Sequence, residues 1–339
     1  MIDVLVAGGG PAGLAAAIHA ALAGLKTVVV EPRTGPVDKA CGEGVMPGGV
    51  AALKALGVEV TGRELRGIRY VDGSRAAEAS FRDRGGLGIR RTTLHSALHQ
   101  RALGLGVRML RGKVGEVRQS AETVTAAGTT ARWLIAADGL HSPVRRSLGL
   151  ELPGRGRPHR RYGLRRHYRV EPWTDFVEVH WSRHGEAYVT PVGEDLVGVA
   201  VLSRTRRGFD EHLADFPALA AALRGPAATG VRGAGPLRQR VRCRVAGRVL
   251  LVGDAAGYLD AVTGEGIALG LATAGAAVHA LATGRPEEYE RAWTLLTRRH
   301  RLLTGALLAA SRRPGTARLV VPAASWMPPM FSAAVRALQ

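Results

Sequence analysis

Residues 2–13 read IDVLVAGGGPAG, and the fold class is inferred from this stretch. Ile2–Ala7 is a short apolar run rich in β-branched residues, which indicates a buried strand. The alanine-rich segment Pro11–Ala23 is predicted to be a helix, because proline is tolerated in a first turn and Gly24 provides a usual helix end. Lys26–Glu31 is predicted to be the next strand. A strand, a helix and a second strand within about thirty residues form a βαβ unit.

The turn between the first strand and the helix fits the pattern G-x-G-x-x-G. Gly8 permits a tight turn, Gly10 lets the backbone approach a pyrophosphate, and Gly13 lets the helix pack close to the strand. The free N–H groups and the partial positive charge at the helix N-terminus favour phosphates. The predicted phosphate-binding residues are Gly8, Gly10, Pro11, Ala12 and Gly13.

An acidic residue, Glu31, ends the second strand of this unit. A carboxylate in that place accepts hydrogen bonds from ribose hydroxyls. It also repels a 2′-phosphate, which argues against NADP in this site. Arg33 follows two positions later and is predicted to cover the adenine or a phosphate, with a solvated surface arginine as the alternative.

The chain has 339 residues, which suggests about two domains, and its composition, 46% apolar and 22% charged, is ordinary for a globular protein. The two cysteines, Cys41 and Cys243, exclude a disulfide scaffold, and no C-x-x-C pair indicates zinc. The net charge is +19, and 43 of the 47 basic residues are arginine. Because these arginines are spread along the chain with few aromatics, a nucleic-acid partner is not expected. An anionic cofactor, an anionic substrate or an acidic partner protein accounts for the sign of the charge.

We expect a cytoplasmic protein without an integral membrane segment. At the N-terminus, Asp3 and the lack of a basic region argue against a signal peptide. The uncharged stretch Gly266–Gly284 is rich in Gly, Ala and Thr and is predicted to be a helix buried in protein. Prolines break the other uncharged run, Leu319–Val335, which is predicted to form an apolar flap. Nothing in the sequence indicates an oligomeric state.

Two further blocks follow the glycine-rich loop along the chain. Residues 137–145 read ADGLHSPVR, and residues 253–256 read GDAA, followed by GEG at 264–266. In this order and spacing, the loop with Glu31 and the two blocks resemble the flavoprotein monooxygenases of the para-hydroxybenzoate hydroxylase type and their relatives, the geranylgeranyl reductases. The resemblance implies an α/β fold. It consists of a Rossmann-like FAD-binding domain (GR2-type), an inserted β-sheet substrate domain and C-terminal helices.

The predicted elements divide the chain into three parts. Residues 1–152 and 241–285 are expected to form the discontinuous FAD-binding domain. Residues 153–240 are expected to form the substrate domain. The segment 66–85 is assigned either to the FAD-binding domain or to the substrate domain. Residues 286–339 are expected to form a C-terminal helical segment.

The resemblance implies roles for residues at the ends of predicted strands, where doubly wound sheets bind ligands. Asp254 would reach a hydroxyl of the ribityl chain, and the helix that begins at Gly264–Gly266 would face the pyrimidine end of the flavin. Arg91 opens an R-x-x-L sequence that touches the cofactor in this family, with the neighbouring Arg90 as the alternative. NAD(P)H is implied as a transient reductant. The FAD-binding set added by the resemblance is Arg91, Asp138, Gly139, Gly253, Asp254, Gly264, Glu265 and Gly266.

Two residues are candidates for the reacting side of the site. Cys41 lies in KACGEG, which resembles the cysteine-glycine loop of the geranylgeranyl reductases; it is predicted to act as a redox or acid group, or to be a small residue in a tight loop. Tyr188 is predicted to face the pocket from a strand, or to pack within the sheet. His167, His180 and His184 are expected to be surface or partly buried sheet residues, and no metal site is predicted.

The resemblance leaves two reactions open. The first is a monooxygenase that uses NAD(P)H and O2, through a flavin hydroperoxide, to hydroxylate or epoxidise an organic substrate such as a secondary metabolite. It is placed ahead of the second, a flavin reductase of isoprenoid carbon–carbon double bonds. Ala261, however, stands where the hydroxylases usually carry a proline. A cofactor-free binding protein ranks third. The partner is a small molecule, with an anionic, isoprenoid or carrier-protein-bound substrate all left open.

Overall fold

The computed structural model describes residues 1–73, 75–82, 85–153, 160–311 and 319–337. Parts of three predicted segments thus lie outside the described residues, namely 74, 83 and 84 of the segment 66–85, 154–159 of the substrate domain, and 312–318 and 338–339 of the C-terminal segment. The helices are α1 (Pro11–Leu22), α2 (Pro47–Ala55), α3 (Arg91–Gly104), α4 (Pro143–Ser147), α5 (Phe209–Leu213), α6 (Pro217–Ala222), α7 (Gly266–Ala282), α8 (Glu288–Ser311), α9 (Val320–Trp326) and α10 (Pro328–Arg336).

The strands collect into two large and two small sheets. The strands are β1 (Ile2–Ala7), β2 (Thr27–Glu31), β3 (Gly44–Val45), β4 (Arg63–Leu65), β5 (Gly67–Asp72), β6 (Arg75–Ser80), β7 (Gly86–Gly88), β8 (Arg108–Arg111), β9 (Val117–Gln119), β10 (Val124–Ala126), β11 (Thr129–Ala136), β12 (Glu151–Leu152), β13 (Tyr162–Arg169), β14 (Phe176–Trp181), β15 (Gly185–Pro191), β16 (Leu196–Ser203), β17 (Arg232–Ala234), β18 (Arg240–Val241), β19 (Val245–Ala246) and β20 (Val249–Leu251). The small sheets are β3–β7–β4 and β12–β18.

The first large sheet carries the glycine-rich loop. Its order is β19–β20–β11–β1–β2–β8, and β20, β11, β1, β2 and β8 run parallel. Strand β1 is fully buried from Val4 to Ala7, as the continuous apolar run of a parallel strand requires. Because parallel strands end at one edge of the sheet, Ala7, Glu31, Ala136 and Leu251 bring the loops that follow them together. The predicted α/β class with a parallel sheet is confirmed.

The second large sheet has the order β17–β13–β16–β15–β14–β5–β6. It is antiparallel except for the pair β14 and β5. Strands β5 and β6 come from the segment 66–85, so this segment pairs with the strands of the predicted substrate domain. The division into domains itself remains a prediction. Strand β13 carries three arginines, Arg165, Arg166 and Arg169, and still pairs along its whole length with β16.

Three helices follow the first sheet at the C-terminal end. Helix α8 packs against α7, and α9 and α10 pack against β6. The predicted apolar flap is therefore a pair of short helices, with Pro328 in the first turn of the second one. Helices α5 and α6 are separate, because Pro217 begins the second one. Within the described ranges, no helix has both the length and the apolar character needed to cross a bilayer.

Candidate functional site

The glycine-rich loop is tightly packed at Gly8 and Gly13 but open at Gly10. Gly8 has a φ of +102°, and a Cβ there would lie 2.6 Å from the carbonyl oxygen of Ala137. A Cβ on Gly13 would lie 1.9 Å from the carbonyl oxygen of Gly8. At Gly10, by contrast, the nearest described atom to such a Cβ is Arg91 Nη2, at 3.8 Å. The backbone at Gly10 is thus open to a ligand, as the approach of a pyrophosphate requires.

Glu31 ends β2 with its carboxylate buried against two donor residues. The Gly9 amide donates to Oε2 at 2.7 Å, and the Arg33 guanidinium donates to both oxygens, at 2.6 and 3.0 Å. Burial by itself would raise the pKa of this carboxyl, but the hydrogen bonds from Arg33 and Gly9 hold it below its usual value. Glu31 is therefore an ionised acceptor at the strand end, and a ribose hydroxyl bound there would share it with Arg33.

Three cationic side chains, Arg91, Lys39 and Arg33, lie near the glycine-rich loop, and Arg91 is the one next to Gly10. Arg91 begins α3 and is buried, and its Nη1 has no hydrogen-bond partner among the described residues. The Lys39 Nζ atom lies 3.3 Å from the Cβ position of Gly139, and burial and the charge of Arg33 lower its pKa. A buried donor without an acceptor costs about 1–3 kcal/mol. These residues therefore fit an anionic group such as the pyrophosphate of FAD.

Asp254 lies in the short 3-10 turn that follows β20. Gly253 begins this turn with a φ of +57°, and a Cβ there would lie 2.8 Å from Ala12 Cβ, so glycine lets the turn pack on the start of α1. Burial raises the pKa of Asp254, whereas the charges of Lys39 and Arg91 lower it. The Asp254 carboxyl group thus lies near Lys39 and Arg91, beside the glycine-rich loop. Its contact with the ribityl chain remains a prediction.

The loops that follow β1, β2, β11 and β20 form the groove in which FAD is predicted to bind. The block that follows β11 links two of these loops. Asp138 Oδ2 accepts the Val144 N–H at 3.0 Å, and Ser142 Oγ accepts the Arg145 N–H at 2.9 Å, so both side chains cap α4. Asp138 Oδ1 is buried without a partner in the described part of the chain. The buried Arg145 guanidinium donates to the Ala255 carbonyl at 3.1 Å. This contact ties the block to the turn that carries the predicted ribityl ligand.

The segment before α7 is the one predicted to contact the flavin. Gly264 has a φ of +71°, and a Cβ there would lie 3.6 Å from Met46 Cε. The Glu265 carboxylate is hydrogen-bonded to His300 Nδ1 at 2.8 Å, in a buried cluster with Thr263. The Glu265 side chain is therefore turned toward α8, where a buried histidine supplies its partner. Only its backbone, with that of the first turn of α7, can serve the predicted flavin contact.

An apolar cavity of about 330 Å³ adjoins this segment. Its outer wall comes from α8, α9 and α10, and its inner wall from β5, β14 and β15. Tyr188 lines it, and its hydroxyl donates to the Val262 carbonyl at 2.8 Å. The lining also includes Met46, Tyr188, Val262, Thr263 and Gly264. Such a wall suits an apolar ligand that reaches the start of α7.

Cys41 is not among the described residues that line this cavity. It lies in the loop between β2 and β3, where its Sγ accepts a hydrogen bond from the Glu43 amide at 3.4 Å. Burial raises the pKa of the Cys41 thiol, although the charge of Arg91 opposes this rise. The thiol is therefore protonated at neutral pH. A catalytic role for Cys41 remains a prediction.

A buried pair under this loop, Glu43 and His167, was missed. Glu43 has a φ of +59°, its Oε1 accepts the Arg91 N–H at 2.8 Å, and its Oε2 is hydrogen-bonded to His167 Nε2. His167 was expected, with His180 and His184, at the surface or partly buried. That expectation is wrong for His167, which is fully buried because β13 carries it inward. Within the described ranges, no three His, Cys, Asp or Glu side chains are grouped to hold a metal ion.

A family model described as an FAD binding domain matches residues 1–284. The chain belongs to this FAD-binding family. Over 335 aligned residues it is 31% identical to menaquinone reductase of Mycolicibacterium smegmatis, with 88% of this chain and 80% of that protein covered. Over 295 residues it is 30% identical to dialkyldecalin synthase of Streptomyces rugosporus, with 79% of this chain and 62% of that protein covered.

A geranylgeranyl bacteriochlorophyll reductase-like protein from Thermoplasma acidophilum has a similar structure. The TM-score is 0.80 at 22% identity, over 95% of this chain and 91% of that one, and this likeness shows the fold. With the family match, it confirms the predicted superfamily, the Rossmann-like FAD-binding fold and FAD as the cofactor. The enzyme is an FAD-dependent oxidoreductase. Membership of this family argues against the cofactor-free binding protein.

Proposed function

We propose that this enzyme reduces carbon–carbon double bonds of a long apolar substrate of the polyprenyl type. The observation that carries the proposal is the apolar cavity, whose lining includes Gly264 in the segment predicted to face the flavin. A monooxygenase of aromatic acids would be served better by a compact polar pocket. The likeness to a menaquinone reductase, and to a geranylgeranyl reductase-like fold, supports the same choice.

The cavity is suited to one part of such a substrate. Its volume of about 330 Å³ lies at the lower end of the range of ligand sites, about 300–1,000 Å³. Met327 and Met330 line it and are exposed as well, so the cavity reaches the surface between α9 and α10. We infer that the reacting end of the substrate lies near Gly264, while the rest of its chain leaves through this opening.

The chain's own residues bind the substrate, position it and supply a proton. When bound and reduced, FAD would supply the hydride, and NAD(P)H is the proposed reductant of FAD. Reduction of a double bond also needs a proton. We assign the proton to Cys41 Sγ, which lies outside the cavity lining but close enough to Arg91, beside the glycine-rich loop, to feel its charge, and which burial keeps protonated. Tyr188 is assigned a positioning role, because its hydroxyl already donates to the Val262 carbonyl and fixes the loop that ends at Gly264.

The deciding experiment compares the products formed with and without oxygen. Holoenzyme reduced with NADPH or dithionite is mixed under argon with menaquinone that carries an unsaturated side chain, and the lipid is examined by mass spectrometry. We expect a product whose side chain has gained two hydrogen atoms, which remain after the quinone ring, itself reduced in the mixture, has been reoxidised in air. A product that forms only in air and contains an added oxygen atom would establish the monooxygenase instead.

Two variants sharpen this experiment. Ala324→Trp fills the cavity, and we expect it to abolish reduction while the bound FAD is retained. Cys41→Ser keeps the size of the side chain, and we expect turnover to fall at least about tenfold if the thiol supplies the proton. Unchanged turnover in Cys41→Ser would remove Cys41 from the reaction and leave the proposed substrate untouched.

A further inference from the structure

The turn between α9 and α10 exposes a continuous apolar surface. Residues 326–330 read WMPPM, and all five are exposed, with Trp326 at 76% and Met330 at 63%. Isolated exposed apolar residues are common, but a contiguous patch marks an interaction site. Met327 and Met330 also line the apolar cavity, so the exposed surface surrounds its opening.

The C-terminal part of the chain is also strongly basic. Residues 291–339 contain eight arginines and no aspartate or glutamate. On the outer face of α8, Arg298 and Arg299 are exposed, and so is Leu302, at 64%. The inner face of the same helix lines the cavity through Leu303 and Leu307. Exposed leucine, tryptophan and arginine on helices that line one cavity form the pattern of a surface that lies on a membrane.

We propose that this surface, the docking face, binds a bilayer that contains anionic phospholipid. The docking face consists of the turn 326–330 and the outer face of α8 with Arg298, Arg299 and Leu302. Tryptophan and methionine enter the boundary of headgroups and acyl chains, and the arginines contact lipid phosphates. The inference rests on the proposed function in one respect: a lipid-soluble substrate then passes from the bilayer to the cavity without crossing water.

The charge of the docking face favours a bilayer over the other occupants. A second copy of this chain would bring two arginine-rich faces together in a protein of net charge +19, which costs repulsion. An acidic carrier protein would pair with the arginines but would leave the apolar turn at Trp326 without a matching surface. An anionic bilayer matches both the apolar and the charged part.

The test is co-sedimentation of the FAD-loaded enzyme with vesicles of phosphatidylcholine, with and without phosphatidylglycerol. We expect binding to the anionic vesicles that weakens as salt is added. Leu302→Ser with Trp326→Ser should weaken this binding more than about tenfold. Arg298→Gln with Arg299→Gln should weaken it about thirtyfold, from about fivefold for each arginine.

Matched controls carry the same kinds of change on other exposed sites. Leu22→Ser with Leu103→Ser, and Arg108→Gln with Lys113→Gln, should bind vesicles as the wild type does. FAD absorbance and circular dichroism verify that every variant is folded. Absence of vesicle binding, or equal losses in the controls, would overturn the docking face. So would a dimer, or a complex with an acidic carrier protein, that uses Trp326 while vesicles are not bound.

Turnover of menaquinone dispersed in detergent separates the docking face from the proposed function. Variants of Leu302, Trp326, Arg298 and Arg299 should keep this turnover, because none of these side chains lines the cavity. Normal turnover without vesicle binding would overturn only the docking face. Vesicle binding without reduction would overturn only the proposed function.

Discussion

The predicted FAD groove and the apolar cavity share Gly264, yet they are built in different ways. The groove is made by loops that follow four strands of one sheet, and single atoms decide its shape. The cavity is made by side chains from three strands and three helices that are far apart in sequence, and no motif marks them. A charged cofactor of fixed structure thus needs a few positions at which no other residue is accepted. An apolar ligand needs only a cavity of suitable volume, lined by apolar side chains from many parts of the chain.

The largest effect is expected where the groove is tightest. Gly13→Ala would place a Cβ 1.9 Å from the Gly8 carbonyl oxygen, which is backbone and cannot move aside. We expect a loss of about 3 kcal/mol or more in the free energy of unfolding, together with loss of FAD. Denaturant unfolding and flavin absorbance measure both. Gly104→Ala, where a Cβ meets nothing within 4 Å, is the control, and an equal loss there would contradict the steric argument.

The second effect tests the charge of the groove without changing its shape. Arg91→Gln removes the buried guanidinium that faces Gly10 but keeps the amide that donates to Glu43. We expect FAD to bind about thirtyfold more weakly, because a charge-assisted hydrogen bond contributes about 2 kcal/mol. Fluorescence titration of apoenzyme with FAD measures this. Arg90→Gln is the matched variant, and a larger loss there would move the predicted contact to Arg90.

A smaller effect depends on pH. The pKa of Glu31 lies below its ordinary value of 4.5 in the folded chain, so its stabilisation is present above about that pH and is lost as the pH falls through the folded value. Glu31→Gln should cost about 1–2 kcal/mol at neutral pH, and the difference from wild type should shrink in acid. Denaturant unfolding at several pH values measures this difference. A difference that does not change with pH would mean that Glu31 acts through packing alone.

The smallest effect concerns the cavity side of Gly264. Tyr188→Phe removes the hydroxyl that donates to the Val262 carbonyl, which should cost about 1 kcal/mol of stability and weaken substrate binding, with FAD content unchanged. Steady-state kinetics and flavin absorbance separate these two results. Tyr162→Phe on strand β13 of the same sheet is the control. Loss of FAD in Tyr188→Phe would contradict the separation of groove and cavity.

The groove was predictable from the sequence because its motifs carry their own geometry. Three glycines, an acid after the second strand and two later blocks sit at strand ends, and parallel strands bring those ends together. The side-chain direction of Glu265 was not predictable, since it depends on His300, which lies on α8 and far along the chain.

The cavity and the pair of Glu43 and His167 could not be located in the same way. Strand β13 is rich in arginine, and its buried positions include Arg165 and His167. An alternation of apolar and polar residues therefore does not mark it as a strand. Two inward residues on it, Arg165 and His167, are nonetheless spaced two apart, which is the period of a strand. The cavity depends on how α9 and α10 pack against β6, and the local sequence of these helices does not determine that packing.

The most direct measurement is a crystal structure of the enzyme with FAD and an unsaturated polyprenyl quinone bound together. We predict that the FAD phosphates contact the backbone at Gly10 and the Arg91 guanidinium, and that the polyprenyl chain fills the cavity beside Gly264. Phosphates bound away from Gly10, or a quinone bound outside the cavity, would contradict the account.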